Sequence, residues 1–560
     1  MLLADLPRLP VTDVLPALRT ALAAGSDAVL EAPPGAGKTT LVPLALLAED
    51  WLAGQTILLV QPRRVAARAA AARMAELLGE QPGGRVGYRI RLENKVGPAT
   101  RIEVITEGIL TRRLQRDPAL GGVGLVIFDE FHERNLDSEL GLALALQGRA
   151  LFRETPPLRL LVMSATLQGV PVAGLLADPA LLHSEGRQYP VRVAHGAALA
   201  AGASVVAPTV AAIRAALTER DGSVLVFLPG QTEIRRVARE VTRHLPTDVI
   251  VAPLYGGLPL ERQQQAIAPC PQGRRKVVLA TNIAETSLTI EGVGTVIDSG
   301  LERQALGPGF CQRLFSEEQF QRLQKLRTPE ILQSDLAPLA LQLLAWGVHH
   351  PAELAWLDPP PPANYQQGLD VLALCGAAFA RDDGSWQLTP HGVRLAQMPL
   401  HPRLGHMLLV GCDIDARETA ALLAAVLAER NPLAEEGADL AVTLSVLLGE
   451  RPCPPRLQGW YRRSWQQARR YAQIVSEIYR PRRGPLAVPA EDVPGVLLAS
   501  AWPDRIARAR EGGRGGEFQL ANGRSANVAA GDGLGTARWL ATAEIGGTDG
   551  ESGDRIYSAT

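Results

Sequence analysis

Apolar residues in this chain come in two textures. Between about residues 28 and 300, short runs of Val, Ile, Leu and Ala recur as AVLEA, TILLVQP, RIEVIT, GLVIFDE and LRLLVMSAT, then as SVLVFLP, VIVAPLY, KVVLAT and GTVID. These runs are nearly continuous rather than alternating. Strands of that kind are buried on both faces, as in parallel sheets covered by helices. A Gly/Pro/Ala-rich, strand-poor stretch at about 168–222 separates the first five runs from the last four. The pattern predicts two α/β domains in tandem.

After about residue 328 the period changes. ILQSDLAPLALQLLAWG sets Leu332, Leu336, Leu339 and Leu343 at helical spacing, DPPPPANY is a hard break, and further Leu/Ala-rich helices run to about 448. A second proline-rich break, ERPCPPRL, opens a segment with many Arg and Trp residues. From about 511 onward Gly and small residues dominate, which predicts irregular or incomplete structure.

Composition narrows the class without naming a partner. A length of 560 residues suggests about four domains. A net charge of −1 leaves a nucleic-acid partner open, and any basic surface must be local. Five cysteines with no C-x-x-C pair fit neither a zinc site nor a disulfide framework, and they are expected as buried thiols in a reducing cytosol. The start, MLLADLPRLP, has acids and prolines where a signal peptide needs a basic, unbroken apolar lead, and no run of 18 apolar residues occurs. The expectation is a cytoplasmic protein without a membrane span.

Two motifs carry chemistry. EAPPGAGKTT follows a strand and precedes a helical run, and it keeps all of G-x-x-x-x-G-K-[ST] except the first glycine, replaced by Ala32. The run Pro34, Gly35, Ala36, Gly37, Lys38, Thr39 and Thr40 is expected to cradle phosphates. Lys38 reaches the β/γ oxygens, Thr39 holds Mg²⁺, and the helix N-terminus adds its positive dipole end. GLVIFDEFHE sets two carboxylates directly after a buried strand: Asp129 for the Mg²⁺ shell, through water, and Glu130 to orient and deprotonate the attacking water. Asp-Glu at a strand end is as often a solvated turn. The phosphate loop about ninety residues upstream is what makes a Mg–NTP hydrolysis site the better reading.

With His132 the pattern becomes D-E-x-H, and here the chain resembles the DEAH-type helicases of superfamily 2, with Phe131 where the common form has alanine. MSAT matches that family's third motif at Ser164 and Thr166. QPRRVAAR and ITEGIL match motifs that would set Arg63, Arg64, Thr106 and Glu107 near a nucleic-acid backbone. VFLPGQTEI, with Gly230, matches the fourth motif. ATNIAETSLTI matches the fifth, with Thr281, Asn282, Glu285, Thr286 and Ser287 facing RNA or nucleotide. WLDPPPPANYQQGLDVL and LTPHGVRLAQMPLHPRL, including Arg403, are similar to the family's winged-helix and helical helper regions, and ASAWPDRIARAR is similar to the C-terminal domain of a bacterial subfamily. The resemblance implies two RecA-like domains at 12–175 and 200–328, a winged-helix and helical region at 329–448, and a truncated C-terminal domain at 449–560. It implies ATP and Mg²⁺ as cofactors and single-stranded or partly duplex RNA as partner.

One family element is missing. A sixth motif, Q-R-x-G-R-x-G-R, should follow the fifth and supply arginines to the γ-phosphate. Between VIDSG and GPGF the chain has only LERQAL, 301–306, with Arg303 alone. A tight loop from Asp298 to a strand near Phe310 is expected there, with turnover impaired and nucleotide binding kept; Arg313 is a second candidate for the missing arginine. The competing readings are a nucleotide-gated RNA-binding protein that does not unwind, and a P-loop ATPase without a nucleic-acid substrate.

Overall fold

The apolar runs form the strands they predict. The computed structural model describes residues 7–560 apart from 26, 91–92, 154, 167–171, 186–190, 198–202, 244, 259, 271–272, 282–289, 291, 300–308, 323–327, 430, 435–436, 482–485, 511–514 and 547–553. The chain divides into two units, one of residues 1–333 with 354–359 and one of 334–353 with 360–560.

The first sheet contains β1 (Ala28–Glu31), β2 (Thr56–Gln61), β3 (Val86–Ile90), β4 (Glu93–Lys95), β5 (Ile102–Thr106), β6 (Val123–Phe128), β7 (Arg159–Ser164) and β8 (Ala180–His183), in the order β4-β3-β5-β2-β6-β7-β1-β8. Every pairing is parallel except that of the short edge strand β4 with β3. Glu31 pairs with Ser164 and Val60 with Phe128, so the carboxyl ends of β1, β7, β2 and β6 finish side by side. In such sheets the loops leaving those ends are where ligands bind. One face packs Leu30, Ile57, Leu59, Ile127 and Met163 against Leu18, Leu41 and Met74 of three covering helices, Leu15–Ala23, Lys38–Leu46 and Arg64–Leu77.

The second sheet contains β9 (Val191–His195), β10 (Ser223–Phe227), β11 (Val249–Leu254), β12 (Arg275–Ala280), β13 (Val293–Asp298) and β14 (Gly309–Arg313), all parallel in the order β11-β12-β10-β13-β14-β9. The stretch expected to be poor in strands contributes β8 to the first sheet and β9 to the second. Both are edge strands, and their half-exposed, mixed sequences lack the continuous apolar run used to find the others.

Of the expected tight loop from Asp298 and the strand near Phe310 that follows it, only the strand falls among the described residues. The strand is there as β14, but it lies parallel to β13, with Thr295 opposite Phe310 and Asp298 opposite Arg313. A hairpin turn cannot join parallel neighbours, because the chain must return along the whole strand. Such crossovers usually take a dozen or more residues and a helix. Only residues 299–308 are available, and 300–308, Arg303 included, lie outside the described residues.

The second unit is mainly helical. Helices Ala337–Trp346 and Pro362–Leu374 precede a hairpin, β15 (Ala378–Ala380) with β16 (Trp386–Leu388), and the bundle continues through Pro402–Asp413, Arg417–Leu427, Gln458–Ile478 and Val493–Ala501. Leu339 and Leu343 are buried as their spacing predicts, whereas Leu332 falls in a short 3-10 turn and is 38% exposed. Arg403 is buried, paired with Asp504 at 2.6 and 3.0 Å and donating to the Ala501 carbonyl at 2.8 Å.

In its described residues the Gly-rich tail is not irregular. It forms a closed barrel, β17 (Ile506–Ala509), β18 (Glu517–Leu520), β19 (Ser525–Asn527), β20 (Trp539–Gly546) and β21 (Asp554–Ala559), ordered β17-β18-β19-β21-β20. Ala507, Phe518, Leu520, Ala526, Leu540 and Ile556 fill it. Small residues suit the narrow interior of so small a barrel, so what reads as loop composition is barrel composition. Of the five cysteines, all free, only Cys375 is fully buried; the others are partly covered. Among the described residues no helix is long and apolar enough to cross a membrane.

Candidate nucleotide-binding and hydrolysis site

The loop after β1 turns through two left-handed glycines, Gly35 (φ 79°) and Gly37 (φ 90°). At Gly37 a Cβ would also press on Leu9, whose Cδ1 lies 2.8 Å from where it would sit. The turn delivers Lys38, Thr39 and Thr40 to the first turn of the helix Lys38–Leu46, whose amino end has no side-chain cap. Uncapped backbone N–H groups at that end are donors suited to phosphate.

β6 brings the acids to the same place. Asp129 accepts from the Thr39 hydroxyl at 2.5 Å and from the Gln61 amide at 2.6 Å, both on Oδ2, while Oδ1 accepts from the Glu130 N–H at 2.9 Å. Lys38 Nζ lies 3.1 Å from Glu130 Oε1, and both side chains are about 95% buried. Burial alone would lower the Lys38 pKa, but Glu130 and Asp129 outweigh it and raise it. Burial, with the Glu130 charge beside it, pushes the Asp129 carboxyl up to about 6 against the opposing pull of Lys38. The cluster therefore holds more negative charge than its one ammonium offsets. That shortage, together with the hard oxygen donors of Thr39 and Asp129, fits a water-ligated Mg²⁺.

His132 connects this cluster to the third motif. Its Nδ1 accepts from the Ala165 N–H at 3.2 Å, which leaves the neutral ring's proton on Nε2, 3.5 Å from Glu130 Oε2. Ser164 closes that loop locally: its hydroxyl donates to the Thr166 carbonyl and accepts from the Thr166 N–H at 3.3 Å. The Ser164 carbonyl receives the Ala32 N–H at 3.0 Å. The phosphate loop, the acidic turn and the third motif are thus one hydrogen-bonded body.

The remaining sequence-predicted residues divide. Arg63 is paired with buried Glu133 at 3.3 Å, whereas Arg64, the first residue of its helix, is exposed. Thr106 ends β5, half-buried, and Glu107 turns inward. It is 8% exposed, accepts from Ser138 and Asn135, and burial pushes its carboxyl up to about 7. Gly230 precedes the helix Gln231–Thr242, and the Thr281 N–H donates to the Leu254 carbonyl. Asn282, Glu285, Thr286 and Ser287 lie outside the described residues. Arg313 is engaged: Nη1 sits 3.1 Å from His195 Nε2, and the guanidinium lies 3.6 Å from the Phe320 ring centre. Sequence reasoning missed Gln61 and Glu133. The signal for Gln61 was present, since a fully buried polar residue closes an otherwise apolar strand.

Residues 14–173 match the DEAD/DEAH box helicase family model, and 208–323 match the helicase conserved C-terminal domain. The chain is 43% identical over 562 residues to the ATP-dependent RNA helicase HrpB of Escherichia coli K12, covering 95% of this chain and 65% of that protein. It is 32% identical over 440 residues to mouse ATP-dependent RNA helicase DHX33, covering 70% of this chain and 62% of that one. The crystal structure of E. coli DEAH/RHA helicase HrpB superposes with a TM-score of 0.83 at 40% identity, over 99% of this chain and 70% of that one. The chain therefore spans 65% and 62% of the length of these two curated relatives.

Proposed function

This chain belongs to the DEAH-type branch of the DEAD/DEAH-box helicases, and from that premise we propose that it is an ATP-dependent RNA helicase whose turnover is held down by loss of the sixth-motif arginines. The observation that carries the hydrolysis reading is the buried contact of Lys38 with Glu130 beside the Thr39–Asp129 pair. It unites a phosphate-binding cation, a metal-binding carboxylate and a general base within one hydrogen-bonded body.

ATP phosphates compete with Glu130 for Lys38. When Lys38 Nζ exchanges the carboxylate for β/γ oxygens, Glu130 Oε1 is released to accept the proton of the attacking water. His132 Nε2–H steadies the other carboxylate oxygen through that exchange. Mg²⁺, held by Thr39 and Asp129 through water, would neutralise charge on the β/γ oxygens. RNA enters this reading through the exposed guanidinium of Arg64 and through the fifth-motif loop, which is read from resemblance. Contacts of this kind grip phosphates and read no sequence.

The ten-residue return between β13 and β14 favours a second reading, a nucleotide-gated RNA-binding protein that does not unwind. Phosphate release measured with and without single-stranded RNA, beside strand displacement on a tailed duplex, separates the two. RNA-stimulated release with displacement supports the helicase. Salt-sensitive RNA binding with neither supports the clamp. RNA-stimulated release as strong as an arginine finger gives would overturn the claim of impairment.

A further inference from the structure

The turn carrying Glu130 has two ends, and only one belongs to the nucleotide site. Glu130 (φ 53°) and Arg134 (φ 54°) are both non-glycine residues in the left-handed region, and they bracket a single 3-10 turn, Phe131–Glu133. Each such residue costs on the order of 1 kcal/mol or more and persists only where its surroundings over-determine it. At the Glu130 end those surroundings are Lys38 and His132. At the Arg134 end they come from far along the chain.

Arg134 is 7% exposed and donates from Nε to Glu139 at 2.8 Å and from Nη2 to Asp358. Its carbonyl accepts from the Glu330 N–H at 3.1 Å. The Glu330 carboxylate accepts from the Leu136 N–H at 2.9 Å, at the amino end of the helix Leu136–Phe152. In sequence, Leu136 and Glu330 are 194 residues apart and Arg134 and Asp358 are 224 apart. Both partners follow the second sheet, and the short segment Leu354–Pro359 groups with the first unit although the residues on either side of it group with the second. It runs directly into the helix Pro362–Leu374.

We propose that Arg134 is a positioning residue for the general base: the Arg134–Asp358 pair and the Glu330 contact hold the far end of the turn and so set where Glu130 sits. The proposal rests on the reading of Glu130 as that base. A contribution to bulk stability is a weaker explanation, because the Asp358 side chain is 38% exposed and Glu139 already pairs with the buried guanidinium. Glu139 would still neutralise the buried guanidinium if Asp358 were removed, so the pair can be broken without stranding a charge.

The experiment compares the parent with Asp358→Ala, Asp358→Asn and Asp358→Glu. Asp358→Ala should lower kcat for ATP about tenfold, the scale at which small misplacements of a catalytic group act, with KM and fluorescent-ADP affinity changed less than about twofold. Asp358→Glu should recover most of the loss, and Asp358→Asn should fall between. In parallel, hydrogen exchange across residues 130–136 should speed up in Asp358→Ala and not elsewhere in the first sheet. Unchanged kcat and unchanged exchange overturn the proposal, as does a KM rise that accounts for the whole loss. If the parent's turnover is too slow to read, as loss of the sixth-motif arginines allows, the kinetic arm is run on the chain with that motif restored. Exchange in Asp358→Ala, or in Asp358→Asn should the alanine variant not fold, decides the clamp alone.

Discussion

At the scale of single residues the site is a competition among buried charges. Lys38 serves Glu130 in the unliganded protein and must serve phosphate when ATP binds. Lys38→Ala should therefore abolish ATP binding, whereas Glu130→Gln should keep binding and lose turnover, because an amide cannot take the water's proton. Equilibrium binding of a fluorescent ATP analogue beside phosphate release checks both, and a Glu130→Gln variant as fast as the parent would refute the base assignment. Acidity adds a second handle. Asp129 must ionise to hold Mg²⁺, so Mg²⁺-dependent nucleotide affinity should climb as pH rises through about 6 and level off above it. Glu107 is raised from 4.5 to about 7, so the stability its neutral form provides is complete below pH 4.5 and lost as pH rises through about 7. Glu107→Gln keeps the acceptor used by Ser138 and Asn135 and cannot ionise. Urea unfolding from pH 4.5 to 8 should show a smaller decline in stability for that variant than for the parent.

At the scale of elements, what matters is which strand ends and helix ends remain open. The adjacent arginines after β2 are not equivalent, since Arg63 is tied to Glu133 while Arg64 stands exposed at the amino end of its helix. Arg64→Ala should lower the log–log salt slope of RNA binding by roughly 0.7, and adding Arg63→Ala should change it little further. Anisotropy titrations across a salt series measure this. An equal contribution from Arg63 would mean that its pair with Glu133 opens when RNA binds.

At the scale of the whole molecule the decisive feature is the return from β13 to β14. Those strands are parallel, and ten residues cover a distance that such folds usually span with a crossover of a dozen or more. Replacing 301–306 with a segment carrying Q-R-x-G-R-x-G-R should raise kcat for ATP by about 10³–10⁵ while KM moves little, because an arginine finger acts on transition-state charge. RNA affinity should at the same time become different in the ATP and ADP states. Steady-state kinetics on the parent and the restored chain decide this, and equal turnover would assign the finger to another arginine.

The local patterns determined by themselves the parts that depend on one segment at a time. A phosphate loop needs only a strand, a glycine turn and a helix in succession, and the Asp-Glu strand end needs only its own strand. So Lys38, Thr39, Asp129 and Glu130 were legible, as were the nine strands with continuous apolar runs, eight of them inside their sheets and β11 at an edge. Whatever depends on segments distant in sequence was decided by the tertiary structure. Gln61 reaches Asp129 only because β2 and β6 are neighbours in register. Edge strands β8 and β9 mix apolar and polar residues, and only their pairing with β1 and β14 marks them as strands. The barrel residues pass for loop composition until closure gives Phe518 and Leu520 an interior. Arg134 shows its role only when Glu330 and Asp358 arrive from beyond the second sheet, since an ion pair spanning 224 residues leaves no period or spacing in the chain that encodes it.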